Sequence, residues 1–139
     1  MLKKVLFVSV ISIMLSSCAT LFGGNRYVAD VVVPGREDVG IYVNGKQVGY
    51  GSATFEQKRK QRLEVTLEKD GCTPQKELFS IETRPALIVC DLVGIVGLVV
   101  DFGTGAIYRP ELRVDPRVEK VHYDRFRYNV FYEGCKSGD

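Results

Sequence analysis

The dipeptide Asn44-Gly45, within the stretch GIYVNGKQVG, decides how the middle of the chain can fold. Both residues tolerate a positive φ, which the two-residue type I′ turn of a β-hairpin requires. Such a turn places Ile41 opposite Val48, so these two residues share one apolar face with Val43. The stretch therefore predicts a β-hairpin with one buried face.

A second β signal follows in RLEVTLEKDG, where apolar and polar residues alternate strictly. Leu63, Val65 and Leu67 point to one side and the residues between them point to the other, which is typical of a half-buried antiparallel strand. RYVADVVVP lies before the hairpin and QKELFSIET lies after this strand; both are typical of strands as well. Together these segments predict a small antiparallel β module over residues 26–84.

This module resembles the PEGA-type domain, a small β-sandwich of bacterial envelope proteins. GIYVNGKQVG stands where that family has A-x-V-x-V-D-G-K-x-x-G, and LEVTLEKDGCTP stands where it has V-x-x-x-G-Y-x-P. The motif that names the family is changed here to VPGREDVG, and Cys72 replaces the usual aromatic residue. The resemblance implies a β-sandwich that acts as a structural or binding module and brings no catalytic residue.

The first 18 residues have the three parts of a secretory signal. Lys3 and Lys4 are positive, residues 5–15 form an apolar run, and two serines precede Cys18. The run of eleven residues is shorter than the about 20 that a spanning helix needs. The ending LSSC resembles the lipobox of bacterial lipoproteins, which implies removal of residues 1–17 and acylation of Cys18. The alternative is an ordinary signal peptide with a chance cysteine.

Acylation of Cys18 would anchor the chain, because two or more acyl chains hold a protein stably on a membrane. In the lipoprotein pattern an aspartate after the cysteine favours the inner membrane, so Ala19 favours the outer one. Residues 18–25 form a short tether with a Gly23-Gly24 hinge. Eight residues at about 3.3 Å each reach roughly 26 Å. We therefore expect a lipid-anchored envelope protein at the outer membrane, facing the periplasm, close to the bilayer.

A basic segment, EQKRKQR at residues 56–62, precedes the alternating strand and is expected to be a loop. One interpretation is a solvated loop tip. The other is a contact with anionic lipid head groups or another anionic envelope polymer, at about 1 kcal/mol per basic residue. The candidate interaction residues are Lys58, Arg59, Lys60 and Arg62.

The stretch LIVCDLVGIVGLVVDFGTGAIY, within residues 85–109, is almost entirely apolar. Only nine residues separate Asp91 from Asp101, and they cover about 13 Å as a helix, too little to span a bilayer. We predict instead a short apolar helical hairpin packed on the sheet. Asp91 would cap its first helix, and Asp101 would cap the second helix or turn the chain between the two.

The same stretch resembles a signature of small bacterial envelope lipoproteins, G-G-x-x-G-x-x-V-D-x-x-T-G-A-x-Y, which follows a PEGA-like module in a chain that also begins C-A-T. Two glycines one helical turn apart also suggest a close approach of the helix to its neighbours. The stretch is then either a structural core element or an interfacial or partner-binding element beside the lipid anchor. The signature residues are Gly94, Gly97, Asp101, Thr104 and Gly105.

Residues 110–139 predict an extended segment and one final strand, VEKVHYDRFRYNVFYEG. Its alternation puts Arg125 and Arg127 on one face. The opposite face would carry His122, Phe126, Tyr128, Val130 and Tyr132.

The cysteines left after Cys18 are Cys72, Cys90 and Cys135. An odd number in a compartment that permits disulfides predicts one disulfide and one free thiol, with three pairings open. None of the spacings is C-x-x-C, so the sequence predicts no zinc site.

The charge balance excludes a nucleic-acid partner. The net charge of +2 rests on Lys3 and Lys4, and without them 17 basic residues stand against 17 acidic ones. The single histidine, His122, leaves no acid–base or nucleophile constellation. We therefore expect no enzyme, no cofactor and no metal.

The fold class predicted from these patterns is mainly β (α+β), a small antiparallel β-sandwich-like module with a short apolar helical hairpin. The predicted function is a non-enzymatic structural or interaction module at the membrane surface. An envelope protein is the expected type of partner. The alternative function is a binding protein for a cell-wall glycan or other envelope polymer.

Overall fold

The computed structural model describes residues 3–7, 24–84 and 95–135 of the chain, and these form a mainly β structure of the predicted α+β class. Two helices accompany the strands: α1 covers residues 3–7 and α2 covers Ile95–Thr104. The strands are β1 (Arg26–Val32), β2 (Gly40–Val43), β3 (Lys46–Tyr50), β4 (Ser52–Lys58), β5 (Leu63–Glu68), β6 (Gln75–Phe79), β7 (Ile81–Thr83), β8 (Tyr108–Pro110), β9 (Val118–His122) and β10 (Arg125–Asn129).

Eight strands form one sheet in the order β6-β5-β2-β3-β4-β1-β10-β9, and β7 and β8 pair separately. Neighbouring strands are antiparallel except β1 and β10, which run parallel. β3 and β4 meet at a single residue pair, Tyr50 with Ser52, on either side of Gly51. This weak junction divides the sheet into two layers of four strands.

The two layers pack face to face, as in a β-sandwich. Phe79 in β6 and Tyr128 in β10 have ring centroids 4.8 Å apart. Their strands are six places apart in the sheet, which would separate them by about 29 Å if the sheet were flat. The sheet must therefore fold over at the β3–β4 junction, and the core lies between its halves.

The alternation read from the sequence places the core side chains correctly. Leu63, Val65 and Leu67 of β5 are all buried, as expected. The predicted apolar face of the last strand is also confirmed for Phe126 and its even-numbered neighbours up to Tyr132. These side chains meet between the layers and form one continuous core.

The β2–β3 hairpin has the predicted type I′ turn, with φ of 50° at Asn44 and 81° at Gly45. The predicted pairing of Ile41 with Val48 is wrong, because a bulge after Ile41 shifts the register and pairs it with Gly49. A Cβ on Gly49 would lie 2.8 Å from the carbonyl oxygen of Ser52. β4 therefore crowds this position, where only glycine fits.

The single final strand predicted near the C-terminus is in fact a hairpin of β9 and β10. The chain turns at Tyr123-Asp124, and His122 pairs across the turn with Arg125. His122 is therefore exposed and does not share the buried face of Phe126. Because the chain reverses at this turn, β10 lies between β9 and β1 and pairs with both. The alternation of residues within one segment does not predict such a pairing.

Of the predicted helical hairpin, the structure describes only the second helix, α2. Asp91 and Gly94 lie outside the described residues. Asp101 lies inside α2 and is fully buried, so its predicted role as a cap or interhelical turn is wrong. α2 ends instead at Gly105, which has a φ of 82° and donates its N–H to the Asp101 carbonyl at 2.9 Å. This single hydrogen bond is the left-handed glycine ending of helices.

Candidate functional site at the β4–β5 turn

The β4–β5 turn, residues 59–62, contacts two other segments of the chain. The Arg59 N–H donates to the carbonyl of Asn25, just before β1, at 2.9 Å. On its other side the turn meets the end of α2, where a Cβ on Gly105 would lie 2.6 Å from the Cβ of Lys60. The turn thus joins the place where the N-terminal chain reaches the sandwich to the C-terminal end of α2.

Arg59, expected on the surface, has an exposed fraction of 0%. Its guanidinium forms an ion pair with Asp124, and Nη1 donates to the Tyr108 carbonyl at 3.4 Å. It also lies over the Tyr27 ring, 5.7 Å from the centroid. The prediction that Arg59 belongs to a surface interaction patch is therefore wrong, because the sandwich and the α2–β8 connection enclose it.

Arg84 is a second buried guanidinium beside the same carboxylate, and the sequence analysis did not single it out. Its Nη2 lies 3.8 Å from the Asp124 carboxylate, and Nη1 donates to the Tyr123 hydroxyl at 3.4 Å. Its backbone N–H donates to the Ile107 carbonyl at 2.8 Å. We call Arg59, Arg84 and Asp124 the arginine cluster; no local motif marks it, since its members are far apart in sequence.

The arginine cluster places two buried guanidinium groups beside a carboxylate whose side chain is 44% exposed. Burial lowers the pKa of Arg59 to about 10; the nearby Arg84 acts in the same direction, and Asp124 opposes both. The Arg59 guanidinium therefore remains protonated at neutral pH. Since it neither gains nor loses a proton there, the cluster suits fastening and binding rather than acid–base chemistry.

The other three predicted basic residues are on the surface: Lys58, Lys60 and Arg62 are all exposed. None of them forms an ion pair with another residue that the structure describes. Their charges are therefore open to an external anionic partner. The predicted loop is also shorter than expected, because β4 extends through Lys58.

Exposed apolar side chains on α2 lie next to this basic turn. Val99 is 67% exposed, Phe102 is 41% exposed, and Val100 is also on the surface. The Phe102 ring meets Tyr108 edge-on at 6.2 Å. Val99 lies about 9 Å along the helix from Gly105, which contacts Lys60. We call this surface, with Lys58, Lys60 and Arg62, the α2 end of the sandwich.

The signature residues that the structure describes lie within α2 and at its C-terminal end. Gly97 lies within the helix, and Thr104 is its last residue. The Thr104 hydroxyl donates to the Val100 carbonyl at 3.0 Å, a hydrogen bond from a side chain back to the preceding turn of the helix. The signature thus sets how α2 ends and how closely its end approaches Lys60.

A disulfide joins Cys72 to Cys135, one of the three pairings that the sequence left open. It links the β5–β6 turn to the C-terminal segment, and the Tyr132 hydroxyl beside it donates to the Thr73 carbonyl at 2.9 Å. We call this region the disulfide end; it lies at the other end of β5 from the basic turn. Cys18 and Cys90 lie outside the described residues, so lipid attachment stays a prediction.

Metal-ligating groups and buried ionisable side chains are the features of the described residues that bear on catalysis and metal binding. They contain no group of three or more metal-ligating side chains. The Tyr27 and Tyr128 hydroxyls share a 2.7 Å hydrogen bond in the core. Burial raises the pKa of Tyr27 to about 12 and also raises the pKa of Tyr128, so both stay neutral. None of the helices in the described part is long and apolar enough to cross a membrane.

Comparison of this chain with protein-family models, curated proteins and solved structures found no match. The resemblances to the PEGA-type domain and to envelope lipoproteins therefore rest on the quoted residues alone. The function proposed below rests on those residues and on the geometry of the α2 end and the disulfide end.

Proposed function

We propose that this chain is a lipid-anchored bacterial envelope protein whose β-sandwich is a non-enzymatic structural or interaction module at the membrane surface. One observation carries the proposal. The N-terminal chain meets the sandwich at Asn25, which is hydrogen-bonded to the turn that also carries Lys60 and touches the end of α2. The predicted anchor therefore leads directly to a surface that carries both exposed basic residues and exposed apolar side chains.

The length of the tether supports the same arrangement. Cys18 lies seven residues before Asn25, so an extended chain between them reaches at most about 25 Å. With acyl chains on Cys18 inside the bilayer, the sandwich stays close to the head groups. The α2 end is then the part of the domain that is tethered nearest to them.

The opposite end suits contact with soluble or wall-bound partners in the periplasm. The disulfide between Cys72 and Cys135 closes it, and such bonds persist in oxidising compartments outside the cytoplasm. In this orientation the disulfide end points away from the lipid. The sandwich would then present that end to other envelope components.

A second candidate function is binding of a cell-wall glycan or other envelope polymer. A groove of about 200 Å³ near the disulfide end is lined by Tyr42, Tyr50, Asp38 and Glu68, among other residues. Tyr50 is 64% exposed, whereas Tyr42 is partly buried. An exposed aromatic side chain beside polar groups suits sugar stacking, and the groove would face away from the membrane. A Tyr50→Ala variant that still co-sediments fully with isolated cell wall would remove this candidate.

The anchor itself is tested by metabolic labelling with a palmitate analogue in a bacterial host. The wild-type chain is expected to take up the label, and Cys18→Ser is expected to lose it. Cys90→Ser is the matched control, because it removes a different cysteine and is expected to keep the label. Labelling that survives in Cys18→Ser would disprove the proposed anchor.

A further inference from the structure

The part of α2 whose side chains the structure describes, residues 99–104, is unusual for a surface helix because most of its exposed side chains are apolar. Val99 and Phe102 are three residues apart and therefore lie on neighbouring parts of one helical face. The only charged residue of α2, Asp101, is buried and leaves that face uncharged. A cluster of exposed apolar side chains of this kind marks a surface that meets a partner or a membrane.

Positive charge borders this apolar face on the side of the β4–β5 turn. Lys60 is exposed, while its Cβ lies against Gly105 at the end of α2. Lys58 and Arg62 extend the charge along the same turn, and none of the three has an ion-pair partner among the described residues. An apolar helix face with a lysine- and arginine-rich border matches a bilayer surface, with acyl chains beneath anionic head groups.

The predicted anchor decides which occupant fits. The chain that leads back to Cys18 leaves the sandwich at Asn25, directly beside the basic turn, and reaches at most about 25 Å. A soluble partner or a second copy would have to enter the narrow space between this surface and the membrane. With Cys18 anchored, by contrast, the lipid surface itself lies next to this end of the sandwich.

We propose that α2 is a second membrane contact: Val99 and Phe102 insert into the interface of the bilayer that holds Cys18, while Lys58, Lys60 and Arg62 bind anionic head groups. The inference rests on the proposed anchoring at Cys18 and goes further, since it assigns the membrane-facing surface and the orientation of the sandwich. The anchor and α2 then hold the domain in one orientation, where a tether alone would let it rotate.

The chain contains no tryptophan, so one introduced tryptophan reports on its own position alone. The full-length lipidated chain carrying Phe102→Trp is reconstituted into phosphatidylglycerol–phosphatidylcholine vesicles with brominated acyl chains. We expect its emission to shift to shorter wavelength and to fall by roughly half, because interfacial helices bury their apolar face about 5–10 Å into the lipid. Val99→Trp repeats the measurement in case the larger ring at position 102 disturbs the contact with Tyr108.

Phe131→Trp is the matched control, because Phe131 is 56% exposed at the disulfide end and is expected to stay unquenched. Equal quenching at positions 102 and 131, or no quenching at either 99 or 102, would overturn the inference. A shift at position 102 that grows with protein concentration without lipid would also overturn it, in favour of a second copy.

Charge reversal tests the basic border of the same surface. Added to the Phe102→Trp chain, Lys60→Glu is expected to abolish the quenching at a lower salt concentration than in the parent protein, with a docking equilibrium weakened by at least about fivefold. Lys76→Glu is the control, since Lys76 is exposed on β6 rather than on the turn, and its ammonium already lies 4.0 Å from the Glu64 carboxylate. An identical salt dependence for both reversals would contradict the head-group contact.

The failures of the two proposals are distinguishable. A chain that takes up palmitate at Cys18 but shows no quenching at 99 or 102 disproves only the α2 contact. A chain without palmitate disproves the anchor, and with it the basis of the α2 contact.

Discussion

The two ends of the sandwich are built in opposite ways. At the disulfide end a covalent bond, the Tyr132–Thr73 hydrogen bond and the contacts of Gln75 tie the C-terminal segment to β6. At the α2 end buried arginines hold the connections together, and apolar and basic side chains are left on the surface. The difference lies in how each end is fastened: a covalent bond closes the disulfide end, whereas the α2 end depends on buried arginines and leaves a basic and apolar surface beside them.

The largest expected effect comes from opening the disulfide end. A Cys72→Ser/Cys135→Ser variant should lower the free energy of unfolding by about 4 kcal/mol, because the bond closes a loop with a sequence separation of 63 residues. Urea unfolding measures the change. Reducing agent should destabilise the wild-type chain and leave the double variant unaffected; a wild-type chain indifferent to reduction would show that the bond does not stabilise it.

The corresponding change at the α2 end is Arg59→Met, which removes the buried cation while keeping much of its apolar volume. We expect a loss of about 3 kcal/mol, because Asp124, whose side chain is 44% exposed, loses a charge-assisted hydrogen bond and the Tyr108 carbonyl loses its Arg59 donor. Lys60→Met, at the exposed neighbouring position, should change stability by less than about 0.5 kcal/mol. Similar urea midpoints for the two variants would mean that the arginine cluster does not fasten this end.

Gly105→Ala tests whether the close approach of the end of α2 to the basic turn stabilises the fold. The glycine has a φ of 82°, and a Cβ there would lie 2.6 Å from the Cβ of Lys60. Left-handed strain costs roughly 1–2 kcal/mol, and the clash adds to it, so we expect a loss of about 2 kcal/mol in thermal or urea unfolding. An unchanged melting temperature would contradict the close contact.

The smallest expected effect has the opposite sign. A Cβ on Gly103, two residues earlier in α2, would meet open space, and its φ is not in the left-handed region. Gly103→Ala should therefore stabilise the chain by up to about 1 kcal/mol, the helix preference of alanine over glycine. Calorimetry compares the melting temperatures of Gly103→Ala and Gly105→Ala. A rise for the first and a fall for the second would show that only Gly105 is needed for packing.

Much of the fold could be predicted because its signals are local. The alternation around Val65 depends on neighbouring residues, and the turn at Asn44-Gly45 depends on the conformations that those two residues tolerate. The burial of the even-numbered residues from Phe126 to Tyr132 follows from the same alternation. Where a tertiary contact intervened, as at Gly49 beside β4, the predicted register was off by one residue.

The candidate site was less predictable, since its chemistry depends on residues far apart in the chain. Arg59 looked like one more charge in a basic loop, yet it is enclosed and paired with Asp124, 65 residues away. Arg84 and Asp124 carry no local signal at all. Asp101 looked like a cap from its place between apolar runs, but packing buries it inside α2.

The sequence by itself determined the strand faces and the type I′ turn, and it predicted one disulfide among three cysteines; the anchor at Cys18 stays a prediction. Only the tertiary structure decided which cysteines pair, where the last strand turns, and which basic residues reach the surface. The physical reason is that conformational preference acts between neighbouring residues, whereas burial and pairing depend on whatever the folded chain brings alongside. The α2 end therefore became recognisable only when Asn25, Lys60 and Gly105 were seen to meet.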